Sequence, residues 1–178
     1  MQSNLKIISG KYKGRVLDIP KNSRPTQNRS RIAVFNILEK FSKPLKVWDV
    51  FAGSGAFGIE CISRYNSFVI FSDIDKFSIN SIKKNLINIP SSFYKIENTN
   101  SLNIISKYKD SDLIFMDAPY TDINLINNFL EEISQELKDK VLIILELDKN
   151  NLINIPNKLK TLEDRVYGRA RFIFLTKS

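Results

Sequence analysis

The chain has 178 residues, of which 43% are hydrophobic and 26% are charged, a composition typical of one globular domain. It contains no histidine and a single cysteine, Cys61, which excludes Ser-His-Asp triads, imidazole bases, disulfide frameworks and zinc sites built on soft ligands. No apolar run reaches the roughly 20 residues of a membrane span, and the first residues lack the apolar core of a signal peptide. We therefore expect a cytoplasmic protein.

The net charge of +8 is unevenly distributed along the chain. Residues 1–46 contain eleven basic residues against two acidic ones, a net charge of +9. Residues 165–178 add four basic residues and no acidic one, whereas residues 47–164 have a net charge of −5. A basic segment on an acidic body is typical either of a polyanion-binding surface or of a solvated tail, and charge alone leaves both open.

The N-terminal residues 1–45 are predicted to form a short basic extension. Residues 5–9 and 15–19 have the pattern of two strands around a Gly-Lys-Tyr-Lys-Gly turn, which predicts a β-hairpin. Residues 28–40 have apolar side chains at near-helical spacing and predict a helix.

From residue 46 onward, strand and helix patterns alternate. The predicted strands are residues 46–51, 67–72, 93–97, 112–116 and 141–147, and the helices between them are residues 56–64, 76–88, 101–107 and 122–137. Such alternation predicts a parallel sheet covered on both faces, and residues 158–165 and 170–176 predict a final antiparallel hairpin. We therefore expect residues 46–178 to form an α/β domain with a mostly parallel, seven-stranded, Rossmann-like sheet.

The first strand leads into a glycine-rich loop, Gly53-x-Gly55-x-x-Gly58, which has the spacing of a dinucleotide-binding turn. Asp73 ends the second strand, 20 residues after Gly53, where a carboxylate binds ribose hydroxyls. Together, the first strand, the three glycines, the helix that follows them and the acid predict a nucleotide-binding site. A tight turn that binds nothing is the alternative.

Asp49, four residues before Gly53, indicates which nucleotide binds. A carboxylate there suits a ligand that has an ammonium group and no pyrophosphate, and S-adenosylmethionine is such a ligand. Asn100, after the third strand, is a candidate for the adenine amino group and equally a helix cap. The expected cofactor-binding residues are Asp49, Phe51, Ala52, Gly53, Gly55, Gly58, Asp73 and Asn100.

The fourth strand ends in Asp117-Ala118-Pro119-Tyr120. Ligands of open parallel sheets lie at the carboxyl ends of the strands, so we expect Asp117 beside the cofactor. The Asp117 carboxylate and the Ala118 carbonyl would accept hydrogen bonds from an exocyclic amine, and Tyr120 would stack on its planar base. These four residues are therefore the catalytic candidates, with no metal expected. A simple strand-end turn is the alternative.

Four segments resemble the signatures of the bacterial RsmD family, class I S-adenosylmethionine-dependent methyltransferases that modify N2 of a guanine in 16S ribosomal RNA. The segments are Ile7-Ile-Ser-Gly-Lys-Tyr-Lys-Gly-Arg15, Arg24-Pro-Thr26 followed by Arg29 and Arg31, Asp49-x-Phe-Ala-Gly-Ser-Gly-Ala-x-Gly-x-Glu60, and Asp117-Ala-Pro-Tyr120. The chain departs from the family pattern where Ala118 replaces a proline, Asn28 replaces an aspartate and Ile32 replaces a glutamate. The resemblance implies a class I fold and 16S rRNA, within the small ribosomal subunit, as substrate.

Basic side chains near the N-terminus are the candidates for phosphate contacts, with ordinary surface charges as the alternative. They are Lys11, Lys13, Arg15, Arg24, Arg29 and Arg31. Arg29 and Arg31 fall in the first turn of the predicted helix, which is unfavourable against the helix dipole, so a role other than helix stability is indicated.

Three other functions remain open at this point. The same motif occurs in methyltransferases that act on DNA adenine or protein glutamine, although little chain remains here for a target-recognition domain. The glycine spacing alone also fits a nicotinamide-dependent oxidoreductase, and the fold fits a non-catalytic RNA-binding assembly factor. We expect Cys61 and Trp48 in the core, leave Glu146 unassigned, and expect a monomer.

Overall fold

A seven-stranded sheet forms the centre of the computed structural model, which describes residues 5–20, 28–118 and 122–178. Its strands are β1 (Lys46–Asp49), β2 (Phe68–Asp73), β3 (Tyr94–Asn98), β4 (Leu113–Met116), β5 (Leu142–Asp148), β6 (Leu159–Tyr167) and β7 (Ala170–Lys177). They lie in the order β3-β2-β1-β4-β5-β7-β6. Strands β1 to β5 are parallel, and β7 is antiparallel to both β5 and β6. The expected α/β sheet with a C-terminal hairpin is confirmed.

Helices cover both faces of this sheet. They are α1 (Asn28–Leu38), α2 (Ala56–Tyr65), α3 (Lys76–Asn85), α4 (Ile105–Tyr108) and α5 (Ile123–Glu136). Helices α1, α2 and α3 pack on one face, and α4 and α5 on the other. Trp48 and Cys61 are fully buried, as expected. None of the described helices has the length and apolar character needed to cross a bilayer.

The predicted N-terminal hairpin is wrong in extent. The two segments meet at one antiparallel bridge, Lys6 to Val16, because only a few amides pair across them, such as Ile7 N with the Arg15 carbonyl at 3.0 Å. The amides of Ile8 and Ser9, which would continue a strand ladder, donate instead to the carboxylate of Glu60 in α2. The segment is therefore fixed to α2 more than to itself.

The helix predicted over residues 101–107 is also corrected. The chain forms a 3-10 turn, Ser101–Ile104, followed by the single α-turn of α4. The Ser101 hydroxyl donates to the Val50 carbonyl at 2.8 Å and is buried against β1. This contact holds the start of the segment against the sheet, where the chain forms a 3-10 turn in place of the predicted α-helix.

The N-terminal residues share one hydrophobic core with the sheet. Leu5, Ile7 and Leu17 are buried in the same cluster as Phe35 of α1 and Phe57 of α2. In that cluster the ring of Phe57 stacks on Phe115 of β4 at 3.6 Å between centroids. The described residues 5–20 and helix α1 are thus packed onto the face that carries the glycine loop.

Candidate active site

The glycine loop connects β1 to α2 and has a backbone that requires glycine. Gly53 and Gly55 have φ angles of 54° and 74°, in the left-handed region that other residues rarely adopt. Gly58 has an ordinary φ, but a Cβ there would lie 2.4 Å from the Phe71 ring and 2.7 Å from Val69. The first two glycines therefore shape the turn, and the third allows α2 to approach β2.

Phe51 and Ala52 begin this loop and hold it against its neighbours. The Ala52 amide donates to the Ser72 carbonyl at 3.0 Å, and the Ala52 carbonyl accepts from Gly55 N at 2.6 Å. The half-buried ring of Phe51 packs edge-on against Phe129 of α5, with 6.3 Å between centroids. The loop is thus braced by β2 on one side and by α5 on the other.

Asp49 lies at the end of β1 and is 1% exposed. Its Oδ2 accepts a hydrogen bond from the Gly58 amide at 3.1 Å. Burial raises the pKa of this carboxyl well above its usual value, and the nearby carboxylates of Asp117 and Asp73 raise it further. Three carboxylates therefore converge at the carboxyl edge of the sheet, an arrangement that attracts a cationic group.

Asp73 lies half-buried at the end of β2. Its Oδ2 accepts from the Gly53 amide at 2.9 Å and its Oδ1 accepts from the Asp75 amide at 2.8 Å. Burial raises the pKa of this carboxyl also. A carboxylate oxygen has more than one lone pair, so each can still accept from a ribose hydroxyl. The acid predicted for ribose is thereby fixed directly to the predicted glycine loop.

Asn100 caps the turn that follows β3. Its side-chain oxygen accepts from Leu102 N at 3.0 Å, so the capping role is present. A contact of its amide nitrogen with adenine stays a prediction. Ile74, directly after Asp73, is 72% exposed at the same edge and is not part of the predicted site. The available signal was an apolar residue immediately after the acid predicted to bind ribose, where an aromatic base could pack on it.

The catalytic candidates follow β4, the neighbour of β1. Asp49 pairs with Phe115, so Asp117 comes two residues later on the adjacent strand, at the same edge. Asp117 is half-buried and Ala118 is 2% exposed. Pro119 and Tyr120 lie outside the described residues, so their predicted contacts stay predictions.

The predicted RNA-binding residues fall in different places. Lys11 and Lys13 are exposed on a turn whose amides at 11 and 12 bind the Ser63 backbone and hydroxyl, in the last turn of α2. The turn therefore lies at the end of α2 that is remote from the glycine loop. Arg15 is half-buried, stacks over the Tyr12 ring at 5.1 Å and donates to the Asn85 carbonyl at 3.0 Å.

Two further candidates on this list are not described in side-chain detail. Arg24 lies outside the described residues. Arg29 belongs to α1, but its side chain is outside the part of the chain that the structure describes. Their phosphate contacts stay predictions.

The prediction that Arg31 contacts phosphate is wrong for this conformation. Arg31 is 3% exposed, and its guanidinium lies 4.0 Å from the Glu60 carboxylate and donates to the Lys6 carbonyl. Burial lowers the pKa of Arg31, and the carboxylates of Glu60 and Glu146 oppose that shift. The unfavourable position of a cation in the first turn of α1 is explained by this buried ion pair.

Two buried polar residues that fix the N-terminal segment to the rest of the fold were not singled out from the sequence. Glu60 accepts from Ile8 N, Ser9 N and Arg64 Nε at 2.8, 2.9 and 2.7 Å. Its only signal was its place at the end of the glycine motif, two residues after Gly58.

Asn85 is the second of these residues, at the end of α3. Its Nδ2 donates to the carbonyls of Ser54 and Asp18, both at 2.8 Å, and its Oδ1 accepts from Asp18 N at 2.7 Å. It joins the glycine loop to the N-terminal segment. No sequence pattern marks an asparagine for such a role, because its partners come from two distant segments.

Comparison with known proteins identifies the family. Residues 5–176 match the family described as "Conserved hypothetical protein 95". The ribosomal RNA small subunit methyltransferase D of Buchnera aphidicola (subsp. Acyrthosiphon pisum, strain APS) is 36% identical over 180 residues, covering 95% of this chain and 91% of that protein. The protein of the same name from Escherichia coli (strain K12) is 29% identical over 174 residues, covering 94% and 87%.

Solved structures agree with this match. The putative methyltransferase yhhF from Escherichia coli superposes with a TM-score of 0.82 at 24% identity, covering 99% of both chains. A putative methylase from Haemophilus influenzae superposes with a TM-score of 0.76 at 26% identity, covering 98% of this chain and 99% of that one. The class I methyltransferase fold is confirmed, and the nicotinamide-dependent alternative finds no support. The chain belongs to the family of ribosomal RNA small subunit methyltransferase D.

Proposed function

We propose that this chain transfers a methyl group from S-adenosylmethionine to N2 of one guanine in 16S rRNA. The observation that carries the proposal is the placement of Asp117 directly after β4, whose Phe115 pairs with Asp49 of β1, so that both carboxylates lie at the same edge of the sheet and Asp117 raises the pKa of Asp49. The residue that would accept a hydrogen bond from the guanine amine and the residues that would bind the cofactor thereby share one edge of the sheet.

The residues of the cofactor side fit S-adenosylmethionine. The loop gives a backbone cradle with an open position at Gly53, where a Cβ would meet nothing within 4 Å. Asp73 would accept the ribose hydroxyls, Ile74 would cover one face of the adenine, and Asp49 would hold the ammonium group. S-adenosylmethionine supplies a sulfonium-bound methyl group that an amine nitrogen can accept.

On the acceptor side, the chain would orient the guanine rather than activate it chemically. The Asp117 carboxylate would accept one N2–H of the base, and the Ala118 carbonyl the other. These bonds direct the nitrogen lone pair towards the methyl group, and orientation of this kind supplies much of the rate. Tyr120 would stack on the base, which must be splayed out of folded RNA to reach the edge.

The basic residues of the N-terminal segment other than Arg31 would contact rRNA phosphates, in a small ribosomal subunit within the cytoplasm, with the chain acting as a monomer. Residues 1–45 would then serve as the RNA-contacting extension of the catalytic domain, 46–178. Among their cations, Lys11 and Lys13 are exposed in the structure. Phosphate contacts of this kind dominate the affinity of proteins for nucleic acid.

The proposal is tested with labelled S-adenosylmethionine and small subunits from cells that lack this gene. We expect label in 16S rRNA, recovered as N2-methylguanosine after nucleoside analysis. Asp117→Ala should lose transfer while cofactor binding, measured by calorimetry, is retained. Label in DNA or protein instead of rRNA would show that the methyl acceptor is not 16S rRNA. No label in any fraction, despite cofactor binding, would favour a non-catalytic assembly factor.

A further inference from the structure

The carboxyl edge of the sheet is divided between two tasks. The candidate cofactor residues follow β1, β2 and β3, and the candidate acceptor residues follow β4. In the strand order β3-β2-β1-β4-β5-β7-β6, the ends of β5, β7 and β6 lie on the other side of β4. With the cofactor bound over the first half, this second half is the part of the edge left for RNA attached to a guanine at Asp117.

The β6–β7 turn lies at this edge. Strand β7 runs antiparallel to β5, so its first residue, Ala170, pairs with Asp148 at the end of β5. The Lys149 amide donates to the Arg169 carbonyl at 2.8 Å and fixes the turn there. Since β7 is two strands from β4, the turn lies about 10 Å to the side of Asp117, from a strand spacing of about 4.8 Å.

One exposed cation stands out in this turn. The Arg169 side chain is 79% exposed and lies 3.5 Å from the Asp148 carboxylate, a loose pairing. Arg171, two residues later, is different: its Nε and Nη2 donate to the two oxygens of Asp164 at 2.9 and 2.6 Å. Lys149 is also exposed. The turn thus offers cations that are not held in a bidentate pair.

Exposed apolar and aromatic side chains lie close to these cations in the sequence, two residues before Arg169 and three after Lys149. Tyr167 is 37% exposed, with its ring centroid 6.2 Å from that of Phe172. Leu152, in the segment that follows β5, is 86% exposed. That segment is held near the start of α5, where the Asn154 amide donates to Asn127 Oδ1 at 3.0 Å. Cations interleaved with stacking surfaces are the composition that binds single-stranded nucleic acid.

We propose that Lys149, Leu152, Tyr167 and Arg169, here called the hairpin rim, bind the nucleotides that flank the target guanine. Arg169 and Lys149 contact phosphates, and Tyr167 and Leu152 pack on an unstacked base or ribose. The proposal rests on the proposed function, since it takes the target base to enter at Asp117. It assigns a role to the second basic segment of the sequence, residues 165–178.

The rim is tested by a charge reversal and a matched control in the same hairpin. Arg169→Glu removes one phosphate contact at the catalytic edge. Lys160→Glu makes the same change of charge on exposed β6 surface near the opposite end of the hairpin, where Lys160 pairs with Thr176. We expect Arg169→Glu to raise KM for small subunits about tenfold and to reduce the salt slope of binding by about one, with the Kd for S-adenosylmethionine unchanged. Lys160→Glu should shift KM less than twofold.

A second pair of variants tests the aromatic contact. Tyr167→Ala should weaken RNA binding roughly tenfold, because one base loses its stacking partner. Tyr167→Phe keeps the ring and should restore the binding. If Tyr167→Phe is as weak as Tyr167→Ala while both have the wild-type melting temperature, stacking is not the role of this residue.

The outcomes separate this inference from the proposed function. If the wild-type protein methylates rRNA but KM is the same for Arg169→Glu and Lys160→Glu, the role proposed for the hairpin rim is wrong. The proposed function would still hold. Failure of the wild-type protein to methylate rRNA would overturn the function and the rim together. A KM increase confined to Arg169→Glu, with cofactor affinity retained, supports both.

Discussion

Among single residues, Asp49 carries a cost to stability that its position explains. A carboxyl group buried beside two other acids resists ionisation, and its raised pKa means that folding is opposed when the group must be charged. An amide would hold the same backbone bond to Gly58 without that cost. We infer that the carboxylate is kept for binding a cation, a common exchange of stability for function.

Asp49→Asn is therefore expected to raise stability in a pH-dependent manner. The folded-state pKa of Asp49 lies above its unfolded value near 3.9, so the wild-type protein loses stability as the pH rises from about 4 through the folded pKa. The asparagine variant avoids this loss. Its melting temperature should exceed that of the wild-type protein by more at pH 8 than at pH 5, while its affinity for S-adenosylmethionine falls.

The control for this change is Asp139→Asn, a carboxylate whose side chain is 84% exposed beside Lys177. An exposed pair of this kind contributes little, so the variant should follow the wild-type melting curve at both pH values. An equal increase in the melting temperature of Asp49→Asn at pH 5 and pH 8 would contradict a titration of this carboxyl. A gain in cofactor affinity would contradict the binding role.

Between elements, Glu60 is the main connection of the N-terminal segment to α2. Its carboxylate accepts two backbone amides of the segment and the Arg64 side chain, and it faces the buried Arg31 of α1. Three elements thus share one buried anion. This explains why the segment is ordered along α2 although it forms only one β-bridge.

Glu60→Gln should loosen this connection. The amide cannot replace both carboxylate oxygens as acceptors, and it removes a negative charge beside a buried arginine. Breaking a buried pair in this manner costs about 3 kcal/mol of unfolding free energy, measured by urea denaturation. The amides of Ile8 and Ser9 should also exchange with solvent faster than those of β1.

Glu39→Gln is the matched control, because Glu39 is 64% exposed and lies 3.9 Å from the same Arg64. Its loss should change stability little, as is usual for a surface pair. If Glu60→Gln lowers the unfolding free energy as little as Glu39→Gln does, the buried carboxylate is dispensable. The segment would then be held by its apolar contacts, Leu5, Ile7 and Leu17.

For the whole molecule, patterns local in sequence were sufficient for the sheet but not for the placement of charges. The alternation of strands and helices, Gly53-x-Gly55-x-x-Gly58 and the C-terminal hairpin follow from periodicity and turn chemistry, which act over a few residues. Arg31 looked like a surface cation because its partner, Glu60, lies 29 positions later. The position of the Lys11–Lys13 turn at the far end of α2 could not be predicted either, because its contact with Ser63 joins residues about 50 positions apart.

This separation of the basic surfaces leads to a prediction about substrate size. The β6–β7 turn of the hairpin rim lies about 10 Å to the side of Asp117, whereas the Lys11–Lys13 turn binds the last turn of α2, roughly 10 Å along that helix from its glycine end. A short rRNA hairpin that carries the target guanine would reach only the rim. Intact small subunits would reach both surfaces.

We therefore expect the double charge reversal Lys11→Glu and Lys13→Glu to raise KM for small subunits several-fold and to leave KM for the short hairpin nearly unchanged. Arg169→Glu should raise KM for both substrates, because its contact is to nucleotides next to the target. Steady-state methyl transfer measures KM for both substrates. The ionic strength is kept fixed because phosphate contacts weaken as salt increases. If the double reversal weakens transfer to the short hairpin as much as to subunits, the basic turn must come to the active-site edge when RNA binds.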